Sequence, residues 1–131
     1  MNRTFSIVIP INTKSDYDVE RFNKVLAPSL KFTNCPKIVI IPKMCDSLQL
    51  DDTYTVVLDH DVVVTPTRCS GYFKQCLLKL YIARQIKTTH YLLLDSDLYV
   101  NRKFDFNEFF NEDGEIILFI YDASQHLDKS Q

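Results

Sequence analysis

Asp95 and Asp97 are the residues whose type and spacing point most directly to chemistry. They follow the apolar run Tyr91-Leu92-Leu93-Leu94, which reads as a strand, and in a strand residues i and i+2 point to the same side. Two carboxylates would then aim at one spot just beyond the strand's end. Like charges held that close require a cation. A hard divalent ion, Mn²⁺ or Mg²⁺, suits them, since one or two carboxylates can hold it while water and phosphate oxygens complete its shell. Its use would be to bridge a diphosphate and stabilise the negative charge that grows there as the bond to its substituent breaks. With only two glycines in 131 residues, a glycine-rich backbone cradle for phosphate is not available, which leaves neutralisation to a metal. Asp and Ser also favour turns after strands for local hydrogen-bonding reasons, so a plain polar turn stays open as a second reading of Asp95-Ser96-Asp97. A second pair, Asp59-His60-Asp61, follows the equally apolar Val56-Val57-Leu58 and serves as an internal control. No helix precedes it and Val62-Val63-Val64 follows it, the pattern expected of a solvated acidic connection.

The elements that must position these carboxylates are legible in the hydropathy pattern. Phe5 to Ile11 is an apolar, β-branched run ended at Pro10, as expected of a strand buried on both faces. Val19, Phe22, Val25, Leu26 and Leu30 recur at helical spacing behind Ser15 or Asp16 as cap, with Pro28 disturbing the last turn. Lys37 to Ile41 and Thr53 to Leu58 read as strands. From Ser70 to Lys87, the residues Phe73, Cys76, Leu77, Leu80, Tyr81 and Arg84 predict one face of a helix capped by Ser70. His90 to Leu94 is the clearest strand. An aromatic segment (Phe104, Phe106, Phe109, Phe110), a turn at Asp113-Gly114 and a strand from Glu115 to Tyr121 complete the chain. Buried strands separated by helices predict an α/β sandwich with a mostly parallel sheet, whose ligands gather at the carboxyl ends of the strands.

Length and composition narrow the function classes. One domain with a core is expected for 131 residues, and 46% hydrophobic with 24% charged residues excludes a disordered chain. The net charge of -2 offers no basic field for nucleic acid. Cys35, Cys45, Cys69 and Cys76 match no metal knuckle and are sparse for a disulfide framework, so they read as reduced thiols. No apolar run approaches the length of a membrane span or a signal segment. A cytoplasmic location is the expectation.

The stretch Gly71-Tyr72-Phe73-Lys74-Gln75-Cys76-Leu77-Leu78-Lys79-Leu80, joined to Ile86-Lys87-Thr88-Thr89-His90-Tyr91-Leu92-Leu93-Leu94-Asp95-Ser96-Asp97, resembles GT-A-fold glycosyltransferases. In those enzymes a Lys-Leu-bearing helix leads into a strand ending in Asp-X-Asp. The likeness is greatest to a group of bacterial and viral glycosyltransferase-like proteins with a Gly-aromatic-X-X-Gln-X-X-X-Lys-Leu helix, and it spans residues 5 to 121. It implies a GT-A-like (Rossmann-like) domain and a metal-dependent glycosyltransferase that moves a sugar from a nucleotide-diphosphate donor, UDP- or GDP-linked, to a hydroxyl acceptor. By the same resemblance Asp95 and Asp97 hold Mn²⁺ or Mg²⁺ on the donor's diphosphate, Lys79 and Ser96 lie at the donor, and Pro10, Ile11 and Asn12 line the nucleobase pocket. Lys79 has a physical case as well, as a positive charge one helix away from a diphosphate.

Only 34 residues follow Asp97, whereas GT-A enzymes carry a further half that supplies the acceptor site and a catalytic base. Residues 1–131 are therefore expected to form a single donor-binding domain without the acceptor half, and no catalytic base is assigned. Asp122, His126 and Asp128 are the late candidates, read as a disordered acidic tail. Two alternatives remain in view. A HAD-type phosphatase also has Asp-X-Asp after four apolar residues, with the first Asp as nucleophile. A non-catalytic nucleotide-sugar-binding domain would keep the fold, with the Phe104–Phe110 aromatics as a docking surface or, more plainly, as core packing.

Overall fold

The structure, a computed structural model, describes residues 2–117. Four strands, β1 (Phe5–Pro10), β2 (Lys37–Ile41), β3 (Tyr54–Leu58) and β4 (His90–Leu93), form one sheet in the order β3-β2-β1-β4. Every pairing is parallel. Parallel neighbours need crossover connections, and these connections cover both faces of the sheet. The chain is thus an α/β protein with a Rossmann-like parallel sheet, as the pattern of apolar runs predicted.

Helix α1 (Asp16–Arg21) starts where expected: the Ser15 hydroxyl accepts from the Asp18 amide at 3.3 Å. It continues through a π-helical turn (Phe22–Leu26) into the short α2 (Ala27–Ser29). Pro28 accounts for the wide turn. Proline has no amide to donate and its ring crowds the carbonyl four residues back, so a turn with i→i+5 bonding, Ala27 N–H to Phe22 O, relieves what an α-turn could not. The helix survives its proline. Phe22, Leu26 and Leu30 pack from this segment onto Ile7, Ile9, Ile11, Val39 and Ile41, all nearly without solvent contact.

Residues of the opposite parity face the other layer. Val8 and Ile40 pack on Leu78 and Ile82, contributed by α4 (Gly71–Tyr81) and the 3₁₀ turn after it (Ile82–Gln85). Between β3 and α4 lies only α3 (Asp59–Val62), a single turn. Ser70 caps α4 as predicted, accepting from Phe73 N at 3.2 Å. Its buried face, however, is not the predicted one: Phe73 and Leu80 are exposed, and the inward pair is Leu78 with Ile82. Almost every residue from Cys76 to Ile82 is apolar, so spacing alone does not choose a stripe.

At the amino-terminal end of the sheet, Lys37 is buried and has all three of its ammonium protons placed. It donates to Thr33 O at 2.9 Å, Cys35 O at 3.2 Å and Thr53 Oγ1 at 3.1 Å. Beside it, burial pushes the Tyr54 phenol up to about 12, helped by the charge of Asp51. The aromatic segment packs rather than projects: Phe106 stacks on Phe5 at 4.7 Å and Phe104 meets Phe32 edge-on at 5.1 Å. After Gly114, whose φ of +80° suits glycine, Ile116 pairs antiparallel with Phe110. The rest of the strand predicted over Glu115–Tyr121, and the late candidates Asp122, His126 and Asp128, lie outside the described residues. All four cysteines are free thiols. Among the described residues, no helix is long and apolar enough to cross a membrane.

Candidate functional site

β1 sends its chain one way, through α1 to β2, while β4 arrives on its other side from β3 by way of α4. The carboxyl ends of β1 and β4 therefore diverge at a topological switch point, the place where open parallel sheets leave a crevice. A cleft of about 350 Å³ lies there, lined by Pro10 and Asn12 from the end of β1, Lys79 from α4, and Asp95, Ser96 and Asp97 beyond β4. Six of the seven residues predicted for the site share that one space. Ile11 does not: it is buried in the core under α1 and lines the adjoining cleft.

The two aspartates reach the cleft by a different route from the predicted one. β4 ends at Leu93, although Leu94 N still bonds to Val8 O at 3.0 Å, and the chain then turns, with Leu98 N donating to Asp95 O at 3.2 Å. Strand alternation does not reach Asp97, so the turn, rather than the strand, sets both residues on the wall of the cleft. Arg21 fixes that turn from α1, donating from Nη2 to Asp97 O at 2.9 Å, and Ser29 Oγ accepts from Val100 N at 3.0 Å two residues past Leu98. Lys79 Nζ lies 2.7 Å from Asp95 Oδ1, both side chains keeping contact with solvent.

The control pair behaves otherwise than predicted. Asp59 is not a solvated acid: it opens α3, is 6% exposed, and receives Lys74 Nζ on Oδ2 at 2.7 Å. Only Asp61 is open to water. Asp59 and Lys74 line a second cleft of about 330 Å³ that adjoins the first, with Asn12 and Gln75 on the shared wall. α4 thus carries one lysine to each acidic motif, five residues and about 7.5 Å of helix rise apart.

Asp18, Tyr72, Gln75 and Cys76 also line the first cleft and were missed as site residues. A signal for two of them was present in the sequence. Gly71, Gln75 and Lys79 are spaced i, i+4, i+8, and Tyr72 adjoins the first, so the fixed positions of the Gly-aromatic-X-X-Gln-X-X-X-Lys pattern form one helical stripe, which here faces the two clefts.

The donor chemistry fits a hard cation shared with a ligand. Asp95 and Asp97 supply carboxylate oxygens open to water, and Mg²⁺ or Mn²⁺ needs only one or two such groups when phosphates and water supply the others. Among the described residues no three His, Cys, Asp or Glu side chains are gathered in one place.

Residues 2–128 match the model of a family of unknown function, DUF6492, and the chain belongs to that family. No curated protein and no solved structure matches it.

Proposed function

We propose that this protein is a metal-dependent glycosyltransferase of GT-A type, binding a nucleotide-diphosphate sugar in the cleft between β1 and β4 and transferring the sugar to a hydroxyl acceptor. One observation carries the proposal. Residues from three separate parts of the chain, the end of β1, Lys79 of α4 and the Asp95-Ser96-Asp97 turn, line a single crevice at the switch point of a parallel sheet.

In this reading Asp95 and Asp97 hold Mn²⁺ or Mg²⁺, which when bound stabilises the charge on the departing nucleoside diphosphate. Lys79, 2.7 Å from Asp95, contributes a further positive charge at the diphosphate. Pro10, Asn12 and, from the adjoining cleft, Ile11 flank the nucleoside, and Ser96 offers a hydroxyl at the turn. Arg21 acts through the backbone, holding the Asp97 carbonyl and with it the attitude of the turn.

Calorimetry with UDP- and GDP-sugars in the presence and absence of Mn²⁺ tests the assignment. The wild-type chain should bind a donor in a metal-dependent manner, and changing both Asp95 and Asp97 to Ala should weaken that binding at least about 100-fold, since it removes both carboxylates assigned to the ion. Metal-dependent binding that survives the double substitution would sink the proposal.

A further inference from the structure

The ion pair across the cleft bears on how the site fills. Lys79 Nζ sits 2.7 Å from Asp95 Oδ1, so the carboxylate assigned to the cation is already partnered by the protein's own ammonium. The backbone under Lys79 is held in place. Leu78 and Ile82 are buried on either side of it, and the Tyr91 hydroxyl donates to Lys79 O at 3.2 Å. The arm beyond is not. Its side chain is 30% exposed and that of Asp95 57% exposed, and a pair so open to water is weakly held. Asp97 and Asp18 line the same cleft, and Asp95 is the carboxylate the ammonium holds.

We propose that Lys79 is an exchange partner: it occupies Asp95 while the cleft is empty and passes to the phosphate oxygens when a cation and a diphosphate arrive together. This rests on the assignment of Asp95 and Asp97 as metal ligands. A cation alone must displace the ammonium and then lie beside it, which weakens its binding. A diphosphate carries more negative charge than one carboxylate and gives the displaced ammonium a better acceptor. Each ligand therefore raises the affinity for the other, by the same factor in both directions. α4 need not move, because only the lysine arm swings.

The test is a pair of affinities. Mn²⁺ alone is titrated by the loss of the free-ion electron paramagnetic resonance signal, and UDP and GDP are titrated by calorimetry at fixed Mn²⁺, for the wild type and for Lys79→Met. Lys79→Met should bind Mn²⁺ alone roughly three- to tenfold more tightly, through loss of a competing, repelling charge. It should bind the nucleoside diphosphate about tenfold more weakly, through loss of a charge-assisted contact. Opposite signs from one substitution are the signature, since a merely structural defect weakens both. Lys79→Gln should reproduce the two signs, and Lys79→Arg, which keeps the charge, should stay near wild type for Mn²⁺ alone. If Asp95→Asn abolishes Mn²⁺ binding while Lys79→Met leaves it unchanged or weaker, the exchange is wrong and the metal site stands. If the wild type binds Mn²⁺ neither alone nor with UDP or GDP, the metal site is wrong and the exchange falls with it.

Discussion

The two Asp-X-Asp motifs of this chain start from nearly the same local sequence and end in opposite circumstances. Each follows a parallel strand of apolar residues, and each has its first aspartate 2.7 Å from a lysine of α4. The difference lies in what the chain does next. After Asp59 it winds at once into α3, and Val63 N closes back on Asp59 O at 3.1 Å, which tucks the carboxylate beneath α4 and leaves it 6% exposed. After Asp95 it turns outward, with Leu98 and Tyr99 exposed, and the carboxylate stays in contact with solvent. The same pair of residue types is therefore enclosed at one edge of the sheet and open to water at the other, as the exchange proposed for Lys79 requires. Burial, rather than the motif or the partner, separates the two roles.

This contrast can be broken by experiment. Removing Lys74 as Lys74→Met leaves Asp59 buried with only the His60 ring, 3.9 Å from Oδ1, beside it. Breaking a wholly buried pair costs about 3–5 kcal/mol, and with Lys74 partly solvated we expect about 2 kcal/mol in urea denaturation, against less than about 1 kcal/mol for Lys79→Met. Equal losses would erase the distinction. Double-mutant cycles give the next effect in size: a coupling of about 1.5 kcal/mol for Asp59 with Lys74, and no more than about 0.5 kcal/mol for Asp95 with Lys79. Smaller again is the response to salt. Raising NaCl to 1 M shortens the screening length to about 3 Å, which should remove most of the outer coupling and leave most of the inner one. Last, Asp61→Asn, at the exposed end of the first motif, should change stability by less than about 0.5 kcal/mol and leave Mn²⁺ binding as it was.

The sheet and most of the cleft were legible from residue types because they rest on strong local signals. Strands of Val, Ile and Leu bounded by Pro10, Pro42 and acidic turns fall within a residue or two of their predicted ends, and Ser15 and Ser70 cap the helices they were expected to cap. What was not legible depends on contacts far apart in sequence. The burial of Asp59 comes from Lys74 and the packing of α4, which no pattern around residue 59 records. The inward face of α4 is ambiguous because apolar residues surround that helix, and it is Val8 and Ile40 that select Leu78 and Ile82. Arg21 escaped notice as a site residue because its contact is with a backbone carbonyl 76 positions away. The π-helical turn, by contrast, follows from Pro28 once the helix is known to continue through it.

The buried ammonium of Lys37 sets an alignment. Ile7, Lys37 and Tyr54 stand level across β1, β2 and β3, and the three oxygens that receive Lys37 Nζ come from the segments leading into β2 and β3. Slipping β2 by one residue would turn its side chains to the other face and carry the ammonium away from all three acceptors. Lys37 thus works as an index pin at the far end of the sheet. By fixing the register of the strands, it also sets the level at which their far ends stand, where Asn12 and Asp59 line one cleft.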